Sequence, residues 1–391
     1  MKILYYAPNP NLSLNAQTGY GTHMREIINC WKQTGHEVQT LVAGDLNNSV
    51  SPSENLSTPS IKRVLKSFIP SYLWETLKDR ELINFDLKLA RVLSRHIESF
   101  QPDLIYERVS YLQQSGVEVA ERLSVKHVAE VNAPFPEERI YFSGKSAYLK
   151  KAEAVERKIL EKSSCISVVS SAIQSYLVEK VPAAAEKIHV IPNAVNSSQT
   201  KLDIDKVKKL KSKYNPTDAL VFGFVGSIFP YHGVDLLLAG FHKTPGNSIL
   251  IIVGDGASIP QLKNYVNEHG LENRVFFTGS VPHTDVFHLI QLMDICCMMN
   301  SNWYGSPVKL FEYGLMKKAV VAPNVAPVRD VMIHEEDGIL VSNSIDEISR
   351  AFKRLISDFE FRSQIAESWN KKVIENYTWE KVAQKTLTLC T

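Results

Sequence analysis

Short, continuous apolar runs alternate with longer amphipathic stretches along the chain, and this alternation limits the possible folds more than any other feature. A strand buried on both faces of a sheet reads as a continuous apolar run. Strands separated by helix-length segments are typical of parallel sheets built from strand–helix–strand units. The predicted strands cover residues 3–7, 38–42, 103–106, 127–131, 165–169, 187–191, 220–225, 248–253, 274–277, 294–298, 319–322 and 339–341.

The predicted strands fall into two series separated by a turn-rich segment. Residues 191–198 are rich in turn-forming Pro, Asn and Ser, and a lysine-rich stretch at 201–213 follows. At roughly 150 residues per domain, 391 residues correspond to two or three domains. We expect an α/β protein with two doubly wound, Rossmann-like domains that face each other across a cleft. The carboxyl ends of the strands should line that cleft, because open α/β sheets bind ligands there.

The composition is that of a soluble globular protein. Hydrophobic residues make up 44% of the chain and charged residues 22%, and the net charge is +2. A protein that binds nucleic acid through a basic surface normally has a larger excess of Lys and Arg, so no nucleic-acid partner is expected. The first apolar run ends at Pro8 and is too short for a signal peptide, and no run is long enough to span a membrane.

Five cysteines stand at scattered positions. Because no CxxC pair occurs, they suggest neither a zinc ribbon nor a disulfide framework, and a cytoplasmic, reducing location is expected. Cys296 and Cys297 fall in a predicted buried strand and are interpreted as small apolar core residues.

The segment after the strand predicted at 294–298 carries the strongest chemical signal. Ser306 is a good helix N-cap and Pro307 suits the first helical position. The free N–H groups of a helix beginning there would attract phosphate, and Lys309 in the first turn would add a positive charge. Glu312 lies on the same face, where it could meet the ribose of the same ligand. A capped helix with a solvated Lys–Glu pair explains the same residues.

The residues 306–313, followed by Lys-Ala-Val-Val-Ala-Pro at 318–323, resemble the donor-site segment of glycosyltransferase family 4, whose members are retaining enzymes of the GT-B fold. Other segments resemble the family in the expected order. They are Gly19-Tyr20-Gly21, Gly35-His36-Glu37-Val38, Glu130-Val131-Asn132-Ala133-Pro134, Val169-Ser170, Val190-Ile191-Pro192-Asn193, Phe224-Val225-Gly226, His232-Gly233-Val234-Asp235, Val253-Gly254-Asp255-Gly256, Phe277-Thr278-Gly279 and Tyr377-Thr378-Trp379-Glu380.

This resemblance implies an enzyme that moves a sugar from a nucleotide-sugar to an acceptor hydroxyl in polysaccharide, glycolipid or other glycoconjugate biosynthesis. It implies an acceptor-binding domain at 1–196, completed by a C-terminal helix at 375–391, and a donor-binding domain at 197–374. The implied donor-binding residues are Gly226, Ser227, Tyr304, Gly305, Ser306, Pro307, Lys309 and Glu312. The implied acceptor or phosphate loop contains Gly19, Tyr20, Gly21, His23, Glu107 and Arg108. Catalytic roles are expected for Lys309, Asn132 and His232.

Three positions depart from the family pattern. Tyr304 stands where the family often has the first of two glutamates, and Ser227 and His232 stand where it often has Arg and Lys. Two common cations for the donor diphosphate are therefore missing or weakened, and Lys309, the helix N-terminus and His232 are expected to carry more of that charge. These departures leave two alternatives open: a GT-B epimerase or phosphorylase-like enzyme, and a catalytically weak subunit that binds nucleotide-sugar.

No cofactor and no metal are expected, because the nucleotide-sugar is a substrate and a helix end with Lys309 can hold its diphosphate. The one Asp-x-Asp, at Asp203 and Asp205, lies in the lysine-rich stretch and is interpreted as a solvated charged face. The acceptor is expected to be a glycan, a lipid-linked molecule or a small molecule.

The roles of three polar residues and of one segment in the first domain each have two interpretations. His23 is a satisfied surface histidine or a polar contact in the cleft, and Glu107 and Arg108 form a local ion pair or contact the acceptor. The basic, aromatic segment 62–74 is an amphipathic helix packed on the first domain or a peripheral contact with the inner face of the membrane.

Overall fold

The computed structural model describes residues 1–16, 18–46, 70–215 and 217–391. The chain divides into two compact units. The first unit comprises Met1–Ile191 together with Ala383–Thr391, and the second comprises Pro192–Val382. The boundary between them lies five residues before the one predicted at 196. Most of the basic, aromatic segment at 62–74 lies outside the described residues.

The first unit is a six-stranded parallel sheet in the order β2-β1-β3-β4-β5-β6. Its strands are β1 (Lys2–Ala7), β2 (Glu37–Val42), β3 (Leu104–Arg108), β4 (Lys126–Val131), β5 (Cys165–Val168) and β6 (Ile188–Val190). Its helices are α1 (Gly19–Gln33), α2 (Ser71–Phe100), α3 (Ser115–Leu123), α4 (Phe135–Ser143), α5 (Leu149–Lys162) and α6 (Ser171–Lys180).

The second unit is another six-stranded parallel sheet, in the order β12-β11-β10-β7-β8-β9. Its strands are β7 (Leu220–Val225), β8 (Ser248–Val253), β9 (Val275–Gly279), β10 (Ile295–Cys297), β11 (Ala319–Pro323) and β12 (Ile339–Val341). Its helices are α7 (Ile204–Tyr214), α8 (Val234–His242), α9 (Ile259–Glu268), α10 (His283–Leu292), α11 (Val308–Leu315), α12 (Ala326–Arg329), α13 (Ile345–Ser357) and α14 (Phe359–Asn376). A last helix, α15 (Trp379–Cys390), begins in the second unit and ends in the first.

All twelve predicted strands are confirmed, with bounds that agree within two residues. The runs were readable because helices cover both sheet faces, so that every residue of β8, for example, is buried. Cys296 and Cys297 are fully buried in β10, as predicted.

The strand order reverses between β1 and β3 in the first sheet and between β7 and β10 in the second. Doubly wound sheets bind ligands beside the carboxyl ends of the strands at such a reversal. In the second unit this edge carries the loop after β7, which begins at Gly226, and the segment between β10 and α11. In the first unit it carries the residues that follow β1 and the end of β3 at Arg108.

The expectation from the cysteine spacing was wrong at one pair. Cys165 and Cys390 are joined by a disulfide, with Cα atoms 5.3 Å apart and 225 residues between them in sequence. Spacing rules detect cysteines that are close in the chain, whereas α15 brings this pair together through the tertiary fold. The scattered cysteines therefore no longer support the expectation of a reducing location, because disulfides are typical of oxidising compartments.

None of the helices in the described part of the chain combines the length and the apolar character needed to cross a lipid bilayer.

Candidate functional site

In the second unit, two close-packed glycines shape the carboxyl edge of the sheet. Gly226, directly after β7, has a φ of 141°, and Gly254, directly after β8, has a φ of 130°. A Cβ on Gly254 would lie 2.0 Å from the carbonyl oxygen of Gly226, so only glycine fits there. The Gly226 N–H donates to the Val253 carbonyl at 3.0 Å. Because Gly226 has no side chain, the space between its Cα and the Lys309 amine is open.

The helix α11 begins beside this edge, one residue later than predicted. Pro307 is its N-cap, and the Pro307 side chain makes no capping hydrogen bond to the first turn. The prediction of Ser306 as the N-cap was wrong, because its hydroxyl accepts a hydrogen bond from the Asn193 N–H at 3.0 Å. The Asn193 side chain also donates to the Ser306 carbonyl, so Ser306 fixes the entry to the helix and leaves the first turn open.

Buried hydrogen bonds hold α11 in place against the sheet. The Tyr313 hydroxyl accepts from the Val225 N–H at 2.9 Å, directly before Gly226. On another side of the helix, the indole of Trp369 donates to the Leu310 carbonyl at 2.8 Å. Because Tyr313 and Trp369 are fully buried, the start of α11 is rigidly placed relative to the loop after β7.

Lys309, in the first turn of α11, is directed at Gly226. Its Nζ lies 4.3 Å from the centroid of the Phe224 ring, and a Cβ added to Gly226 would come within 2.9 Å of that nitrogen. Burial lowers the pKa of Lys309 to about 8, although the Glu312 carboxylate opposes this shift. The ammonium forms no ion pair with any carboxylate of the described residues and is therefore available to a bound anion.

His232 lies near the same ammonium, whose charge disfavours the protonated imidazole. Burial and the neighbouring charge of Lys309 lower the pKa of His232 to about 4, and a contact with the Ser227 backbone opposes the shift. The imidazole is therefore neutral near pH 7, where it can exchange hydrogen bonds but adds no charge. The expectation that His232 helps to neutralise a diphosphate stays a prediction.

The other predicted donor residues lie along α11 and in the segment that precedes it. Glu312 and Tyr304 are buried, and Ser227 is exposed at the turn after β7. The Gly305 N–H donates to the side-chain oxygen of Asn302 at 2.6 Å, in a tight turn before Pro307. The structure thus brings the predicted donor residues of the second unit to one sheet edge.

In the first unit, Gly19, Tyr20 and Gly21 form the first turn of α1, where the resemblance had implied a loop. Thr18 is the N-cap, and its hydroxyl accepts from the Gly21 N–H at 3.4 Å. A Cβ on Gly21 would lie 2.2 Å from the Ala16 carbonyl oxygen, so the glycine permits packing of the preceding segment on the helix.

A buried carboxylate gathers three of the predicted residues of the first unit. Glu130, in β4, is 1% exposed, and its Oε1 accepts from the Arg108 guanidinium and from the Asn132 amide at 2.5 Å. The same oxygen lies 3.4 Å from Nε2 of His23, on α1. Burial raises the pKa of Glu130, but the charges of His23 and Arg108 lower it more, so the carboxyl pKa lies well below its ordinary value.

Glu107 lies apart from this cluster. Successive side chains of a strand point to opposite faces, and Glu107 is buried against the face opposite to that of Arg108. Its Oε2 is 2.7 Å from His127 Nε2, and His127 Nδ1 contacts the Ser163 hydroxyl at 2.9 Å. The local ion pair between Glu107 and Arg108 is not formed, because Glu107 contacts His127 and Arg108 contacts Glu130. The Glu107 side chain has no exposed surface.

Glu130 lies within the motif at 130–134, but no role was predicted for it. A charged residue inside an otherwise apolar strand run was the available signal, because buried charges are paired or functional.

Two parallel, doubly wound sheets, with a cationic helix start at the reversal point of the second, define a two-domain α/β protein of the GT-B type. Two family profiles match the chain in succession: Glycosyltransferase Family 4 over residues 18–199 and Glycosyl transferases group 1 over residues 205–372. The chain belongs to these group 1, family 4 glycosyltransferases, as the sequence motifs predicted.

Curated relatives carry glycosyltransferase names. The protein named "Uncharacterized glycosyltransferase MJ1069" of Methanocaldococcus jannaschii is 22% identical over 313 residues, which cover 79% of this chain and 75% of the relative. The phosphatidylinositol N-acetylglucosaminyltransferase GPI3 subunit of Saccharomyces cerevisiae is 25% identical over 57% of this chain. The match spans 49% of the yeast protein, about half its length.

The fold resembles that of Alr3699/HepE of Anabaena, whose crystal structure was solved in complex with UDP. The TM-score is 0.73, the identity is 18%, and the match covers 99% of both chains. At this identity the likeness establishes the GT-B fold.

Proposed function

We propose that the chain is a retaining glycosyltransferase that transfers a sugar from a nucleotide-sugar to an acceptor hydroxyl in glycoconjugate biosynthesis. The second unit would hold the donor, and the first unit would hold the acceptor. The observation that carries the proposal is Lys309, in the first turn of α11. Its ammonium lies beside the side-chain-free Gly226 and forms no ion pair with a carboxylate of the described residues. Retention of configuration follows from membership of family 4 and rests on that resemblance.

Sugar transfer from such a donor releases a nucleoside diphosphate, so the main catalytic task is to stabilise negative charge on the leaving group. The N-terminus of α11 supplies oriented N–H groups and a partial positive charge, and Lys309 supplies a full one. Both are preformed, so little reorganisation is needed as charge develops. We therefore propose that the chemical step needs no divalent metal, and activity should survive exhaustive chelation.

The contacts of the Asp-x-Asp at Asp203 and Asp205 agree with a solvated charged face. The Asp203 side chain caps α7 by accepting from the N–H groups of Asp205 and Lys206 at 3.0 and 3.1 Å. Asp205 lies exposed in the first turn. Asp203 therefore caps the helix, and Asp205 forms an exposed ion pair with Lys208 at 3.7 Å.

The acceptor side is proposed to form around Glu130. Its carboxylate balances the charge of Arg108, so this cluster offers a neutral, hydrogen-bonding surface instead of a charged one. The Asn132 amide is half-buried and can hydrogen-bond sugar hydroxyls, but it cannot serve as a base near neutral pH. A neutral acceptor rich in hydroxyl groups, such as a glycan or a glycolipid headgroup, fits this chemistry.

Glu312 is proposed to accept hydrogen bonds from the ribose hydroxyls of the donor. These bonds are equally present in the ground and transition states, so the Glu312→Gln variant should lose binding and not the chemical step. Calorimetric titration should show UDP binding weakened by about 1–3 kcal/mol, the range for a hydrogen bond to a charged group. UDP and the complete donor should be affected alike, since both carry the ribose. Unchanged UDP affinity with lost transfer would place Glu312 at the sugar instead.

The direct test of the function is a nucleotide panel followed by a transfer assay. Thermal shifts with UDP, GDP, ADP and CMP identify the base, because a ligand that binds the native state raises its stability. Radiolabelled sugars on the selected nucleotide are then offered with glycan and glycolipid acceptors, with and without chelator. Transfer with retained anomeric configuration supports the proposal. Loss of activity in chelator with recovery in Mg²⁺ would remove the metal-independent mechanism.

One observation favours a second candidate, a subunit that binds nucleotide-sugar with little turnover. His232 is neutral and Ser227 is uncharged, so two positions near Lys309 lack the cations that the family often has. In the same assay, nucleotide binding without release of sugar in any acceptor mixture would support this candidate and reject the transferase.

A further inference from the structure

The loop after β7 presents two aromatic side chains at the surface of the second unit. Phe229 is 38% exposed and Tyr231 is 45% exposed. Their rings are nearly parallel, with an angle of 9° between the planes and 5.7 Å between the centroids. Aromatic side chains are mostly buried in folded proteins, so two aligned and exposed rings beside a candidate site are available to a ligand.

The loop is held at both ends of this aromatic pair. Ile228 is fully buried, its N–H donates to the Asp255 carbonyl at 2.9 Å, and its own carbonyl accepts from the Ser258 N–H at 3.1 Å. At the other end, Gly233 has a φ of 68°, and a Cβ added to it would lie 3.0 Å from the Cβ of Asn300. The two rings are therefore preformed, and a ligand that binds them does not have to order the loop.

A row of rings connects the exposed pair with the ammonium of Lys309. The ring of Tyr231 lies 4.4 Å from that of His232, centroid to centroid. The ring of His232 lies 6.3 Å from that of Phe224, and the Nζ of Lys309 lies 4.3 Å from the Phe224 centroid. A group attached to an anion at Lys309 would therefore lie close to His232 and to the exposed rings beyond it.

One ring nitrogen of His232 is buried without a partner. Nδ1 forms no hydrogen bond with any residue in the described part of the chain. The ring also contacts the Ser227 backbone, and this contact favours the protonated form, as a ring N–H that donates to the carbonyl does. We assign the contact to Nε2, because Nδ1 has no partner. In a neutral ring with its proton on Nε2, Nδ1 is an acceptor, and burial favours a ligand that brings it a hydroxyl donor.

A sugar ring bonded to a diphosphate has the groups that this surface can bind. Its hydroxyls can donate to a nitrogen, and its C–H face can pack on aromatic rings, which removes apolar surface from water. A nucleobase is also flat and apolar, but the ribose separates it from the diphosphate. The sugar is bonded directly to the diphosphate and therefore fits a position next to Lys309 better.

We propose that His232, Tyr231 and Phe229 bind the transferred sugar of the donor. Nδ1 of His232 accepts a hydrogen bond from a sugar hydroxyl, and the two aromatic rings cover the C–H face. The sugar is a neutral pyranose, because none of the three side chains offers a positive charge to an acidic one. The inference rests on the proposed function, and it gives His232 a role in sugar recognition and not in neutralising the diphosphate.

The test compares nucleoside diphosphates with their nucleotide-sugars by calorimetry on the full chain without acceptor. The probes are UDP with UDP-glucose, UDP-galactose and UDP-N-acetylglucosamine, GDP with GDP-mannose, and ADP with ADP-glucose, and the nucleotide-sugar that binds most tightly is carried forward. The Tyr231→Ala and His232→Phe variants should each weaken binding of this nucleotide-sugar by about fivefold or more and leave the affinity for the nucleoside diphosphate unchanged. His232→Asn should recover part of the loss, because its side-chain oxygen can replace Nδ1 as the acceptor.

A matched control is available at another tyrosine–histidine pair of the second unit. Tyr265, on α9, stacks on His269 with the ring centroids 4.0 Å apart. The Tyr265→Ala variant should bind both ligands as the parent chain does.

Two outcomes would overturn the proposal. Equal losses of nucleoside diphosphate and nucleotide-sugar in the His232→Phe variant would place His232 at the diphosphate or the base. Unchanged affinity for the nucleotide-sugar in the Tyr231→Ala and His232→Phe variants would remove the sugar contact, and a loss of transfer alone would then place these residues at the acceptor. Failure of the parent chain to bind any of the nucleotides is a separate result, because it rejects the proposed function itself.

Discussion

Glu107 and Glu130 are buried carboxylates on neighbouring strands, and each lies within reach of a histidine. Their partners differ in a way that separates a structural role from a proposed functional one. Glu107 pairs with His127, whose other ring nitrogen contacts Ser163 in the interior. Glu130 instead holds groups from three elements at the carboxyl edge of the sheet, the edge at which doubly wound folds bind ligands.

This difference predicts opposite outcomes for two equivalent substitutions. Glu130→Gln should lower the rate of sugar transfer by about tenfold or more. The reason is that Arg108 loses its counter-charge and the Asn132 amide loses the acceptor that fixes its orientation. Affinity for UDP should remain unchanged. Glu107→Gln should lower the free energy of unfolding by about 1–3 kcal/mol and leave transfer intact. Steady-state kinetics and denaturant titration of both variants decide the matter, and equal effects on transfer would contradict it.

Lys309 predicts a pH dependence of nucleotide binding. Its pKa of about 8 in the free protein should rise when a diphosphate binds, because opposite charge favours the protonated amine. Binding is then strongest below pH 8 and weakens as the pH rises through the free pKa, since a proton must be taken up. Calorimetry of UDP between pH 7 and 9.5 should show this loss. Lys309→Arg should abolish the dependence, because a guanidinium stays protonated; a persisting slope would assign it to another group.

The strands could be predicted because a strand buried on both faces of its sheet needs an uninterrupted run of apolar residues. The start of α11 was placed one residue early, since Ser306 bonds Asn193, which lies 113 residues away in the chain. Local capping preferences contain no information about such a partner. For the same reason the donor residues could be listed from the motif, whereas the gathering of His23, Arg108 and Asn132 around Glu130 needed the register of β3 on β4.

The packing of the start of α11 beside the end of β7 depends on Gly226, and this dependence can be tested. Gly226→Ala should strain the backbone at a φ of 141° and displace the Lys309 amine, which would lie 2.9 Å from the new Cβ. UDP affinity should fall about tenfold or more, a loss of roughly 1.4 kcal/mol. Gly246→Ala is the control, because no atom of the described residues beyond its two chain neighbours lies within 4 Å of the added Cβ. It should bind UDP normally, and loss in both variants would indicate general sensitivity of the second unit.

The disulfide joins the two chain segments that form the first unit. It closes a loop across 225 residues, and cross-links of this kind typically stabilise a protein by about 2–4 kcal/mol. Reductant should therefore lower the free energy of unfolding of the parent chain by that amount and leave a Cys390→Ser variant unaffected. Thiol titration of the denatured, unreduced chain should find three free cysteines, Cys30, Cys296 and Cys297. Five titratable thiols and no response to reductant would contradict the pairing.

The passage of α15 from one unit to the other sets an order of events during synthesis. The indole of Trp31 donates to the Ala383 carbonyl, and Cys165 forms its disulfide with Cys390. The first unit therefore lacks both partners until its last nine residues leave the ribosome. At about 5–20 residues per second, translation of the intervening second unit takes roughly 10–40 s. The unit that emerges first is thus completed last, and its six-stranded sheet lacks the packing of α15 while the second unit is made.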